Sequence, residues 1–298
     1  MITLYNGELV VGNEHFADGT LKMFNVAVRY HGVQDIHWTY ENEGELITII
    51  YLVKHIRDTF KNMDKRCPQI TLTVPYMPNA RLDRVEDEKQ VFTLKHFADV
   101  INSLHFTKVY FLDPHSAKAC ELINNVQVMS PDTYIRKVIE GIKTYINRDV
   151  VLCFPDMGAM ERYKDIANDT ELASTVFYGK KLRNFDTREI VEFGLHQHRG
   201  TEGITTPEYF ANKVALIIDD IISTGETVVL SASELRECGF KNIFAYCTHL
   251  ENSYIDKDAH PENTKLLDAL LVGELSGIYT TDSIYTGKNP KVHVIANV

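Results

Sequence analysis

A chain of 298 residues, 44% hydrophobic and 24% charged, is long enough for two domains of ordinary size and has the balance of a soluble globular protein. A net charge of −10 excludes a general nucleic-acid binder, and no apolar run reaches the length that a bilayer crossing needs. Five scattered cysteines without a C-x-x-C pair exclude a disulfide framework or a zinc site, and an N-terminus without a basic and apolar leader points to a cytoplasmic protein.

In chain order, helical spacing runs over 44–62, and "QITLTVPY" (69–76) reads as a strand. A helix over 93–104, a strand at "KVYFLD" (108–113) and helices over 116–124 and 131–147 complete the first half. The second half opens on the strand "DVVLCFPD" (149–156), then a helix over 158–168 and the strand "ASTVFYG" (173–179). The strand "KVALIIDD" (213–220), a helix over 224–238, the strand "NIFAYCTHL" (242–250) and a helix over 262–271 follow. Several of these strands lack polar alternation, which suits parallel sheets covered on both faces. A break at "YINRDVV" divides the chain into residues 1–147 and 148–298. The expected class is α/β: two similar domains, each a mainly parallel sheet flanked by helices, with ligands beyond the carboxyl ends of the strands.

The richest stretch is 214–239, where an apolar strand ends in Asp219 and Asp220 and a hydroxyl-rich turn opens a helix. Loop amides and a helix N-terminus converge on a point that suits an anion. The hydroxyls of Ser223, Thr224 and Thr227, with the flexible Gly225, can wrap phosphate oxygens. The two aspartates can instead accept from sugar hydroxyls, or hold a divalent cation through water. A ribose phosphate supplies both features. The same residues also suit a strand end closed by Asp-Asp with Thr224 as a helix N-cap.

"LIIDDIISTGET" (216–227) resembles the ribose-phosphate loop of the type I phosphoribosyltransferase superfamily. Five further segments, in order, are similar to those of one family within it, the ribose-phosphate diphosphokinases, or phosphoribosyl diphosphate (PRPP) synthetases. They are "FADG" (16–19), "PYMPNARLDR" (75–84), "LDPHSAK" (112–118), "FPDMGAMERY" (154–163) and "GKKLR" (179–183).

The resemblance implies transfer of the β,γ-diphosphoryl group of ATP to the 1-hydroxyl of ribose 5-phosphate, giving AMP and PRPP. It implies catalytic cations at Lys181 and Arg183 in a mobile loop, with Lys180 a rival for Lys181. ATP would be held by Arg81 and Arg84, and its adenine by Phe16 and Asp18 reaching in from a neighbouring subunit. That makes a homo-oligomer with an intersubunit ATP site the expectation. Mg²⁺ would be ligated by His115 and Asp156, with Arg162 a further phosphate contact. Asp219, Asp220, Ser223, Thr224, Gly225 and Thr227 would take ribose 5-phosphate.

Taken as residues alone, His115 also suits a hydrogen-bonded structural histidine, and "KKLR" a solvated basic turn. The chain departs from the family pattern at Thr20, Leu82, Ala159, Ser223 (commonly Asp) and Glu226 (commonly Gly), the last expected to face outward. Residues 28–43 lack the family's regulatory segment, so weak or absent activation by phosphate is expected. Two other readings stand beside this one: an inactive regulatory homologue, and a phosphoribosyltransferase that consumes PRPP. Retention of His115, Asp156, Lys181 and Arg183 argues against the first, and "ARLDR" with "DPH" against the second.

Overall fold

The protein divides into two units, Met1–Ser130 and Pro131–Val298. The structure, a computed structural model, describes all residues except 6, 12–13, 25, 86, 184–189, 201–205, 256–263 and 296–298.

In the first unit, β1 (Ile2–Leu4) and β2 (Leu9–Val11) form a hairpin, and β3 (Glu14–His15) pairs with β4 (Leu21–Lys22) in a small separate ribbon. The strand β5 (Gln34–Trp38), helix α1 (Glu45–Asn62), strand β6 (Ile70–Thr73), helix α2 (Thr93–Ser103), strand β7 (Lys108–Leu112), helix α3 (Ala117–Glu121) and strand β8 (Val126–Met129) then alternate. The sheet order is β2-β1-β5-β6-β7-β8, with the last four strands parallel. The helix α1 buries Thr48, Ile49, Leu52, Val53, Ile56 and Phe60, the three-and-four spacing of one helical face. Its first residue, Glu45, is also buried and satisfied, accepting from the Trp38 indole and the Glu41 amide, each at 2.8 Å.

The second unit begins with α4 (Asp132–Tyr145), followed by β9 (Val150–Phe154), α5 (Met157–Arg162) and α6 (Lys164–Asn168). The antiparallel pair β10 (Val176–Arg183) and β11 (Ile190–Arg199) precedes α7 (Pro207–Ala211), β12 (Val214–Ile222) and α8 (Glu226–Glu237). The strand β13 (Asn242–Leu250), helix α9 (Lys265–Val272) and strands β14 (Gly277–Thr281) and β15 (Val292–Ile295) complete it. The order is β11-β10-β9-β12-β13-β14-β15, all parallel neighbours except β10 and β11.

Period two explains the unbroken apolar strands. Val151, Cys153, Ala215 and Ile217 face a core shared with Val228, Leu235 and Leu266, while Val150, Leu152, Leu216 and Ile218 face one shared with Ile135 and Ile139. This second core accounts for the division falling at 130/131 instead of the expected 147/148. The helix α4 gives Ile135, Val138, Ile139 and Ile142 to the face of β9, so it belongs with the strand that follows it. The register also locates the site. β10 lies beside β9 only from Val176 to Tyr178, whereas it pairs with β11 over its whole length to Arg183.

Candidate functional site

At the carboxyl end of β12, Asp219 and Asp220 fall on opposite faces of the strand by its alternation. Asp220 is buried, with Arg162 of α5 at 3.8 Å, and Asp219 is half-buried and accepts the Asp220 amide at 3.0 Å. The chain then turns through Ser223, Thr224 and Gly225 into α8. Gly225 is the N-cap residue, at φ +71°, and a β-carbon there would lie 2.8 Å from Leu266. Only glycine meets both conditions without strain. The cap is therefore Gly225 and not Thr224, whose hydroxyl lies 3.5 Å from the Glu226 amide. The first-turn amides of α8 have no partner within the helix and so form a cradle for an anion. Glu226 keeps its carboxylate on Lys265 of α9 at 3.2 Å. The Ser223 hydroxyl donates to Glu251 at 2.6 Å.

Next to this loop, Asp156 ends the β9 segment and caps α5, accepting the Ala159 amide at 2.9 Å. Its other oxygen accepts from Lys181 at 2.6 Å. Gly179 permits that contact: a β-carbon there would meet the Pro155 carbonyl at 2.4 Å and the Phe193 ring at 2.7 Å. Lys180 instead places its ammonium over the Tyr178 ring at 5.7 Å. Adjacent residues of a strand point to opposite faces, and this separates the two lysines. Lys180, Lys181 and Arg183 thus belong to a strand, whose extended backbone replaces the loop expected from the sequence. The Arg183 side chain lies outside the described residues. A cavity of about 520 Å³ opens here, lined by Asp156, Gly179, Lys180, Lys181, Glu192 and His196.

The electrostatics separate the carboxylates. Burial, then the charge of Asp220, push the Asp219 carboxyl well above the usual carboxylate range, and Asp156 adds to the effect. Burial acts on Asp156 in the same direction but is outweighed by Lys181 and the Ala159 and Gly158 amides, which hold it below its ordinary value.

In the first unit, Phe16 and Asp18 occupy the turn between β3 and β4. Phe16 is half exposed and meets Phe24 edge-on at 6.2 Å. Asp18 accepts from the Thr20 hydroxyl at 2.7 Å and the Thr20 amide at 3.0 Å, which hold its carboxyl below the usual range. Arg81 and Arg84 are exposed on the turns after β6, following Asn79 at φ +62°. His115 is exposed between β7 and α3.

Glu251, Glu192 and His196 escaped the sequence reading. The alternation of "IVEFGLHQHR" (190–199) was the available signal for the last two; nothing near Glu251 in the sequence points to Ser223.

Residues 132–268 match the phosphoribosyl transferase domain family. The ribose-phosphate pyrophosphokinase of Mycoplasma genitalium is 28% identical over 274 residues, covering 91% of this chain and 76% of the relative. That of Sulfolobus acidocaldarius is 25% identical over 246 residues, covering 81% and 72%. That of Mycoplasma pneumoniae is 30% identical over 180 residues, 60% of this chain and 50% of the relative. The crystal structure of phosphoribosylpyrophosphate synthetase from Mycobacterium smegmatis shares the fold, with a TM-score of 0.65 at 17% identity, over 96% of this chain and 86% of that one. The fold is that of the type I phosphoribosyltransferases, a mainly parallel sheet with a strand–loop–helix ligand site. Within that class, the chain is similar in sequence to ribose-phosphate pyrophosphokinases, also called ribose-phosphate diphosphokinases.

Proposed function

We propose that the protein is an active, cytoplasmic, Mg²⁺-dependent ribose-phosphate diphosphokinase that makes PRPP and AMP from ATP and ribose 5-phosphate. The observation that carries this reading is the juxtaposition, in one unit, of an anion cradle, an aspartate pair and a lysine. The amides of the first turn of α8, with Thr224 and Thr227, suit the 5-phosphate. Asp219 and Asp220 suit sugar hydroxyls, and Lys181, 2.6 Å from Asp156, suits charge developing on a transferring diphosphoryl group. Such a transfer needs alignment and neutralisation more than covalent help from the protein.

The donor set fits a hard divalent cation. Asp219 feels both Asp220 and Asp156, and that crowding is what a bound cation would relieve. Among the described residues no three His, Cys, Asp or Glu side chains form a ready-made cluster, so substrate oxygens and water would complete the shell, as Mg²⁺ commonly requires. His115 and Asp156 are the residues proposed as its ligands, and it would supply neutralisation of phosphate charge. Arg81 and Arg84 are proposed for ATP, with Arg162 near the phosphates. Phe16 and Asp18 are proposed for adenine across a subunit interface in a homo-oligomer. No helix among the described residues is long and apolar enough to cross a membrane.

The test is purified protein with ATP, Mg²⁺ and ribose 5-phosphate, scored for AMP and PRPP beside a Lys181→Ala control. Equal amounts of both products, lost in the control, support the reading. Binding of ribose 5-phosphate without either product would favour a regulatory homologue.

A further inference from the structure

Glu251 follows β13 directly and grips the neighbouring loop twice. Its backbone N–H donates to the Ile222 carbonyl at 3.0 Å, and its Oε2 accepts the Ser223 hydroxyl at 2.6 Å. The next residue fixes the opposite flank: Asn252 Oδ1 accepts the amides of Thr286 and Gly287 at 2.9 and 3.1 Å. The carboxylate is therefore presented from a braced backbone, close to the site yet 28 residues away in sequence from the serine it holds.

A serine hydroxyl has one proton to give and two lone pairs. With its proton committed to Glu251, Ser223 Oγ offers a ligand lone pairs only, and the charge-assisted bond enriches them. Such an atom repels unprotonated phosphate oxygens and attracts an O–H donor. Phosphate contacts in this loop then fall to the α8 amides and to Thr224 and Thr227. The substitution of Ser for a commonly acidic residue at this place thus has a local counterpart, a carboxylate that acts through the serine from outside the loop.

We propose that Glu251 is a positioning residue that makes Ser223 an acceptor for a hydroxyl of the bound sugar phosphate, so that the loop favours a hydroxylated sugar phosphate over bare phosphate. This rests on the ribose 5-phosphate reading of the loop. The test is calorimetric titration of the full chain with ribose 5-phosphate and, separately, with inorganic phosphate, in wild type, Glu251→Gln, Glu251→Asp, Ser223→Ala and the Ser223→Ala/Glu251→Gln double variant. Thermal unfolding of each variant establishes that it is folded.

Replacing a charged acceptor by a neutral one should weaken ribose 5-phosphate binding about tenfold while leaving phosphate binding in place. Glu251→Asp should recover part of the loss, and the double variant should bind no more weakly than Ser223→Ala, because both changes break one interaction. In turnover the loss should fall on KM for ribose 5-phosphate with kcat kept, the mark of an interaction equal in ground and transition states. Wild-type affinity in Glu251→Gln, parallel loss of both ligands, or additive effects in the double variant would each overturn the proposal. If wild type takes up phosphate but not ribose 5-phosphate, the ribose-phosphate reading falls, and this one with it.

Discussion

Replacing Gly179 by alanine tests whether packing places the lysine. The added β-carbon would sit 2.4 Å from the Pro155 carbonyl oxygen and 2.7 Å from the Phe193 ring. The oxygen belongs to the backbone between β9 and α5 and cannot rotate aside as a side chain would. Opening the contact from 2.4 to 3.0 Å moves β10 and that backbone apart by about 0.6 Å. The movement is taken up two residues from Lys181, across the same gap that its 2.6 Å contact with Asp156 spans. Overpacking of this kind costs about 1–3 kcal/mol. At roughly 2–4 °C per kcal/mol for a domain of this size, the thermal midpoint should fall by about 2–12 °C. Misplacement of a catalytic group approaching 1 Å can cost about 100-fold in rate, so AMP formation should drop by one to two orders of magnitude. Calorimetric unfolding and a coupled AMP assay measure the two effects on one preparation. An alanine variant with unchanged midpoint and unchanged rate would refute the claim that the glycine sets the position of the lysine.

The raised pKa of Asp219 means that the folded protein keeps a proton that the unfolded chain has released, so stability falls as pH climbs from the ordinary carboxylate range to the folded value and stays lower above it. Asp219→Asn should therefore raise the thermal midpoint at neutral pH in the absence of ligand while weakening ribose 5-phosphate binding; a lowered midpoint counts against the assigned crowding. Asp156 runs the other way, its contribution being present above the ordinary range and lost as pH falls through the folded value. Lys181→Ala should thus flatten the acid limb of a stability–pH curve, and an unaltered limb would remove the lysine as its cause. Gly225→Ala forces a left-handed backbone onto a residue with a β-carbon, at about 1–2 kcal/mol, and pushes on Leu266 besides, so urea unfolding should show at least that loss. Initial rates across a phosphate titration should stay nearly flat, and steep activation would contradict the reading of residues 28–43.

The loop at 219–227 was legible because its grammar is local: an apolar run, two acids, hydroxyls, a glycine and a helix. What resisted reading was held by contacts distant in sequence. The strand β5 was hidden by Gln34, a polar residue that is fully buried because the Tyr5 hydroxyl satisfies it at 2.7 Å. The strand β11 mixes polar and apolar residues and is fixed by its pairing with β10. The helix α4 was assigned to the wrong side of the division because the break at 145–150 is conspicuous, while its packing on β9 is visible only in three dimensions. Which of Lys180 and Lys181 meets Asp156 depended on strand alternation that the "KKLR" string does not reveal by itself.

The short overlap of β9 with β10, ending at Tyr178, gives the lysine an unusual mounting. Beyond that point the strand is a cantilever, anchored in the sheet at its base and stiffened from one side by β11. The amides of Val176–Tyr178 sit between two strands, whereas those from Lys180 to Arg183 have a neighbour on one side alone among the described residues. Deuterium uptake should therefore step upward at Gly179. The sheet's core can stay rigid while the segment bearing Lys181 flexes, so two lengths of one strand differ in compliance.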